Sequence, residues 1–233
     1  VAEAATTEPG PPAHRGRPPM SERRRALVRL EIARAAVDLF TVKGVAATTG
    51  DDIARAVGVS TRTLWRYFPG KEACVRPLLT TGLDHIAALL RSCPDGVPLL
   101  DHLERAGLFD HDVPHAVEPV AHLIRMTRTE PGLMAVWLEV HHAAEGVFAE
   151  ILATRTGAPP GDLAVRVQAA ALNVALRLAA EEQARLVAEG DRPPAGGLGA
   201  LMRTALTAAA RGLPAFGGGA AGGPPGPGGP PAA

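Results

Sequence analysis

Residues 58–72, GVSTRTLWRYFPGKE, concentrate the side chains best suited to contact with another macromolecule. Trp65, Tyr67 and Phe68 are three of only eight aromatic residues in the chain. Arg62, Arg66, Lys71 and the hydroxyls of Ser60, Thr61 and Thr63 stand among them. Guanidinium and ammonium groups pair with anionic oxygens, hydroxyls bond them without charge, and flat rings cover carbon surface. The charge distribution points the same way. Formal net charge is zero over 233 residues, yet residues 1–92 hold 14 basic against 9 acidic side chains, and the remainder 10 against 15. A basic first part on an acidic remainder suits a polyanionic partner for the first part alone. Only Lys43 and Lys71 among the 24 basic residues are lysine, a bias that reflects base composition more than site chemistry.

These side chains need a scaffold. Apolar content is 46% but aromatic content only 3%, so a core must rest on Leu, Val, Ile and Ala. That favours closely packed helices, and no run of Val and Ile alternates, so the chain reads as all-α. Residues 1–20, rich in Pro and Gly, read as a disordered basic arm. From Ser21, Leu27, Leu30, Ala33, Val37 and Phe40 recur at helical spacing up to Lys43-Gly44. Thr48-Thr49 open a short second helix that stops at Gly58, and Ser60 caps a third that ends at Pro69-Gly70. A fourth, over 71–92, connects to five more at about 98–108, 115–129, 132–156, 162–189 and 198–211. Nine helices thus fall into a domain at 21–70 and a larger one at 71–211, followed by a tail at 212–233 with 9 Gly and 6 Pro.

Two of these segments carry more information than the rest. Along 162–189, Leu163, Val167, Ala171, Val174 and Leu178 form one stripe, and Val165, Ala169, Leu172 and Leu176 form a second on nearly the opposite side. Such a helix is covered twice, once by its own domain and once by a second copy or by more of the same core. The second and third helices, joined by the tight turn AVGVS, have helix-turn-helix spacing. Ile53, Val57, Val59, Leu64 and Phe68 make the core between them, which leaves Thr61, Arg62, Trp65 and Arg66 on the outer side.

The run ARAAVDLFTVKGVAATTGDDIARAVGVSTRTLWRYFPGKEACV resembles the DNA-binding domain of the TetR family of repressors. The match covers about residues 26–76 through DLF, Gly44, TT, DDIA, GVS, LWRYF and GKE. The resemblance implies a three-helix DNA reader ahead of a helical domain that dimerises and binds a small molecule. It assigns Thr61, Arg62 and Trp65 to the base-facing side, and Thr49, Thr63, Arg66, Tyr67 and Lys71 to phosphate contacts. Arg62 is the best direct reader, since a guanidinium bonds guanine O6 and N7 together; its alternatives are a phosphate contact or a solvated charge. Trp65 suits a thymine methyl or a sugar, or shields the turn. Thr49 also serves as an N-cap. In the arm, Arg15-Gly16-Arg17-Pro18 resembles the core of an AT-hook, which lays two arginines in a narrow minor groove. The pattern from about Arg125 to Gln183 is similar to a subfamily with acyl-CoA-type regulatory domains.

The partners implied are double-stranded DNA, a second copy joined through 162–189 and the last helix, and an apolar or acyl-CoA-like effector. Candidate pocket residues are Met126, Met134, Trp137, His141 and Phe148, with Arg125 and Asn173 as polar contacts. The alternative is a regulator without a small-molecule effector, governed by a protein partner or its own concentration. No nucleophile elbow, phosphate loop or Cys-x-x-Cys stands in residues 93–211, so an enzyme with a DNA-binding appendage is disfavoured, and no cofactor is expected. Asp110-His111-Asp112 with His115, and His141-His142, match no metal template, so no metal is expected. Cys74 and Cys93 are too few for a disulfide framework, and Cys74 reads as a small core residue. With no apolar run approaching 18 residues and no leader pattern, the expected location is cytoplasmic.

Overall fold

The computed structural model describes residues 22–110, 117–191 and 194–212. The arm at 1–20, with Arg15 and Arg17, lies outside them, as do His111, Asp112 and His115 and all of the tail but Gly212. The described residues form nine α-helices and no strand.

Helix α1, Glu22–Lys43, buries Ile32, Ala33, Ala36, Val37 and Phe40 along one stripe of its second half. Its first turns stay exposed. Helix α2, Gly50–Ala56, starts on a capping box in which the Thr49 hydroxyl accepts from the backbone N–H of Asp52. The Asp52 carboxylate reciprocates by accepting from the Thr49 N–H. Helix α3, Thr61–Tyr67, starts on Ser60, whose hydroxyl accepts from the Thr63 N–H. Between α2 and α3 the chain turns at Gly58, where φ is +67°, a left-handed conformation that glycine adopts without strain.

The fourth helix departs from the expected continuous segment. Residues Glu72–Val75 form a 3-10 turn, and α4 runs only over Arg76–Arg91. Pro77 is the cause. It has no N–H to bond the carbonyl four residues back, so it belongs in the first turn of a helix. Helices α5 (Leu99–Arg105), α6 (Val117–Thr127), α7 (Pro131–Thr156), α8 (Leu163–Glu189) and α9 (Gly197–Ala210) follow near their expected places.

Helices α7 and α8 are antiparallel neighbours, since Trp137 bonds Glu181 and His141 bonds Asn173. Helix α8 also packs on α6 and α9, and α7 packs on α4. Arg155 ties the loop before α5 to α7 by donating to the carbonyls of Cys93, Pro94 and Val97 at 3.1, 3.3 and 2.7 Å. One hydrophobic core runs unbroken from α1–α3 through α4 into α6–α9, across the boundary expected after residue 70. Cys74 is free and buried in it, and Cys93 is also free and buried. Burial, reinforced by the nearby Glu72 charge, pushes the Cys74 thiol up to about 12, so it is an inert core group.

The two stripes of α8 separate as expected. Val165, Ala169 and Leu176 are buried, while Leu163, Val167, Val174 and Leu178 remain exposed on the other side. With apolar residues on both faces, α8 is the one helix among those described that is long and apolar enough to cross a membrane by length and composition. Arg166 and Arg177 interrupt its apolar sequence.

Candidate nucleic-acid interface and the cavity behind it

The outer face of α3 is fixed from within. Ile53 and Leu64 are completely buried and Phe68 nearly so, with Val57 and Val59 packed against them, so five apolar side chains set the angle between α2 and α3. Polar contacts then lock α2 to α1. Lys43, the last residue of α1, donates to Asp52 Oδ2 at 2.8 Å. The same carboxylate accepts from the Thr49 N–H and hydroxyl at 2.9 and 2.8 Å. The Lys43 bond first, then the Thr49 bonds, hold the Asp52 carboxyl well below the usual carboxylate range.

The residues expected to meet DNA divide into two sets. Arg62 is exposed and makes no hydrogen bond or ion pair among the described residues. Arg66 is also exposed, and its guanidinium lies 5.3 Å from the centre of the Tyr67 ring. Arg29 of α1 sits 5.7 Å from the same ring, leaving the phenol hydroxyl without a hydrogen-bond partner among the described residues. The Thr63 hydroxyl shares a hydrogen bond with that of Ser60 at 2.9 Å. Thr61 donates its proton to Asp51 and Thr49 donates its own to Asp52, so neither hydroxyl is idle.

Lys71 departs most from expectation. Its ammonium faces inward and donates to the carbonyls of Val45, Ala46 and Thr48 at 2.7, 3.4 and 3.0 Å. Those three acceptors take all three protons of the group. In this structure its contacts are with the loop between α1 and α2, which it holds in place.

Trp65 combines contact with exposure. The indole is 44% exposed, yet its ring edge lies over the first residue of α2. A Cβ at Gly50 would stand 2.1 Å from Trp65 Cζ2, so residue 50 must be glycine for the ring to lie there. No sequence signal marks this pairing except the bare Gly after the two threonines.

Behind the reader lies a cavity of about 510 Å³, a size suited to a small organic molecule. Its walls come from α1 (Leu30), α4 (Leu83, Ile86), α6 (Ile124), α8 (Leu176) and α9 (Met202). Of the expected pocket residues, Trp137 and His141 line it and five do not. Along α7 it extends only over the turn between those two, so Phe148 falls into solid core and Met134 packs beside it. Met126 is likewise partly buried packing, and Arg125 is bonded to the His122 ring. Asn173 is buried one layer back, its Oδ1 2.7 Å from His141 Nδ1. The sequence reading missed the contributions of α1, α4 and α9 and the polar Gln183 of α8. Among the described residues no three His, Cys, Asp or Glu side chains gather as a metal site would require.

Fold and site together define a helix-turn-helix protein whose helical domain lines, with α1, a half-open cavity. The sequence model of the family described as bacterial regulatory proteins, tetR family, matches residues 32–78, and that of the MftR C-terminal domain matches residues 97–214. Over 142 residues the chain is 32% identical to a protein of Mycobacterium tuberculosis (strain ATCC 25618 / H37Rv) named for transcriptional regulation of mycofactocin biosynthesis, MftR. That likeness spans 60% of this chain and 71% of the relative. The HTH-type transcriptional regulator TcmR of Streptomyces glaucescens is 29% identical over 60% of this chain and 65% of its own. A solved structure of a TetR-family transcriptional regulator from Rhodococcus sp., 19% identical, shares the fold with a TM-score of 0.50 over 78% of this chain and 97% of that one. The chain belongs to the TetR family of bacterial regulatory proteins: it is a transcriptional regulator with a DNA-binding N-terminal domain, not an enzyme.

Two outcomes follow from the polar locks. Because the Asp52 carboxyl is depressed on folding, its contribution is present above the unfolded carboxylate value of about 4 and is lost as pH falls below it. Urea unfolding of Asp52→Asn is therefore expected to show a lower midpoint than wild type at neutral pH, with the gap closing below about pH 4. Lys71→Met is expected to lose about 1–3 kcal/mol of stability. The salt dependence of its DNA affinity should match wild type; a slope reduced by about one would instead return Lys71 to phosphate contact.

Proposed function

We propose that the chain acts as a homodimeric repressor that reads a pseudo-palindromic operator and is released by a small molecule. The observation that carries this reading is the outer face of α3, where Arg62, Trp65 and Arg66 stand exposed on a rigid two-helix core. Arg62 reads a base edge, most favourably a guanine, because its guanidinium is unpaired and projects from the first turn of α3. Arg66, Thr63 and the Tyr67 hydroxyl hold phosphates, Trp65 covers sugar or a thymine methyl, and Arg15 and Arg17 of the arm enter the adjacent minor groove.

The dimer forms through the exposed stripe of α8, with α9 beside it. Leu163, Val167, Val174 and Leu178 expose 70%, 58%, 37% and 50% of their surface, an uncovered apolar row on one helix of a single chain. A second copy related by a two-fold axis covers it and sets two α3 helices roughly 34 Å apart, one turn of DNA. The effector occupies the cavity, whose walls include Leu30 and Arg34 of α1. A molecule there touches the DNA-binding half directly and favours whichever arrangement of α1 and α4 fits it best. A regulator without an effector would suit a filled core better than one with a cavity of about 510 Å³. The expected location is the cytoplasm.

Selection of bound DNA from a random pool is expected to return a palindrome with half-sites about 10 base pairs apart; an isolated half-site would overturn the dimer reading. Arg62→Ala in the same selection should flatten preference at one position in each half-site, by about 1–3 kcal/mol, and leave the others intact. Val174→Glu or Leu178→Glu is expected to give a folded monomer in sedimentation, with operator affinity reduced by orders of magnitude. A dimer that survives both substitutions would place the interface elsewhere.

A further inference from the structure

Tyr67, the last residue of α3, carries two guanidinium groups against its ring. Arg66 of α3 lies 5.3 Å and Arg29 of α1 lies 5.7 Å from the ring centre. The two cations therefore stand no more than about 11 Å apart, close to the screening length of about 10 Å in ordinary salt, and repel each other. A carboxylate between them would relieve that repulsion. Neither arginine forms an ion pair or hydrogen bond among the described residues, and the Tyr67 hydroxyl has no partner there either. Both arginines are exposed.

The place of Arg29 follows from the register of α1. At about 100° per residue it falls on the same side as Ala33, Ala36 and Phe40, which this helix buries. The buried stripe thus continues toward the N-terminus as an arginine, beyond the point where the reader's core ends. Glu31 and Asp38 fall on the opposite side of the helix. Glu22, two turns before Arg29, forms no ion pair among the described residues.

Contact with a ring leaves the N–H groups of a guanidinium without an oxygen acceptor, and their fork matches two oxygens of a phosphate. Two such forks and a phenol O–H, gathered from two helices with no carboxylate among them, suit anionic oxygen. Their position selects which anion. Base edges are met from the N-terminal end of a recognition helix, whereas Tyr67 closes the other end of α3. That end faces the strand backbone rather than the bases.

We propose that Arg29 and Arg66, seated on Tyr67, hold a phosphate of the DNA backbone, which makes α1 itself a DNA-contacting helix. The inference rests on the reading of the outer face of α3 as the DNA reader. A contact of this kind fixes the register of the protein on the duplex and carries no sequence information. It also gives the cavity a short route to DNA. Leu30, the next residue along α1, lines the cavity, so any shift of α1 that a bound molecule favours moves Arg29 with it.

The test is the salt dependence of affinity for DNA recovered by selection from a random pool, between about 50 and about 200 mM salt. Arg29→Ala is expected to lower the slope of log affinity against log salt by about one and to bind about tenfold more weakly at low salt. Its base preferences should match wild type. Arg29→Lys keeps the charge without the fork, so its slope should return to the wild-type value. Arg91→Ala, at the end of α4 away from the reader, controls for net charge and should leave the slope unchanged. A role for Arg29 in stability alone would move the unfolding midpoint and not the slope, and that result overturns the proposal. So does a slope lowered equally by Arg91→Ala. If Arg29→Ala does not fold, Arg29→Gln decides on the same slope. Wild-type DNA binding with an unchanged slope in the Arg29 variant overturns this contact alone. A wild type that binds no DNA overturns the reader and the contact together.

Discussion

Helix α1 has to satisfy two sets of neighbours at once, and the rest of the structure is arranged around that demand. Its buried stripe, Ile32 to Phe40, supports the helix-turn-helix and the 3-10 turn. Leu30 and Arg34, about one turn apart on the same helix, line the cavity. Rotating or sliding α1 therefore changes both contacts together, because a packed helix moves as a unit and a close-packed core leaves little room for local adjustment. Helix α4 is in the same position, with Leu83 and Ile86 both buried in the core and lining the cavity.

With so few aromatic residues, much of the fixed geometry comes from charged groups bonded to backbone. Lys71 gathers three carbonyls of the loop before α2, and Arg155 gathers three from the loop before α5. Each cation satisfies carbonyls that a short loop leaves unpaired, and each joins segments distant in sequence. Lys71 is 23 to 26 residues from its partners, and Arg155 is 58 to 62 from its own. These contacts hold the loops at the ends of the reader and of the connecting helix, where helix packing alone gives little purchase. Surface ion pairs such as Arg185 with Glu182 are of another kind, since solvent screens them and they join residues one turn apart.

Element by element, the sequence was readable where the signal is local. Thr49, Ser60 and Gly58 mark helix starts and a turn by short-range hydrogen bonds and backbone conformation, and they fell within a residue or two of expectation. The two-sided pattern of α8 was legible because helical periodicity alone decides it. The inward turn of Lys71 was not, since a lysine at a helix start suits phosphate and carbonyl equally until the loop is placed. The cavity was the least legible feature. Its lining comes from six helices and the turn after α5, with only two or three residues from each except α4, so no one segment announces it, and a buried Met or Phe looks the same whether it borders space or carbon. The break before α4 was legible in principle, through Pro77, but the apolar periodicity on both sides masked it.

A switch built on this scaffold can shift DNA binding only by the difference in affinity the effector has for the two arrangements of α1 and α4. Contacts to parts that keep their shape in both arrangements strengthen binding without switching. The lining divides on that line. His141 and Gln183, with Trp137, stand on α7 and α8, the pair tied together by the His141–Asn173 and Trp137–Glu181 bonds. Under the proposed effector reading, contacts to that pair hold the molecule without switching. Leu30, Arg34, Leu83 and Ile86 stand on the helices shared with the reader. Under the same reading, the portion of the molecule that reaches those four side chains is the portion that converts occupancy into release. A molecule that fills the α7–α8 side of the cavity but is too short to reach α1 would then occupy the site and leave the operator bound.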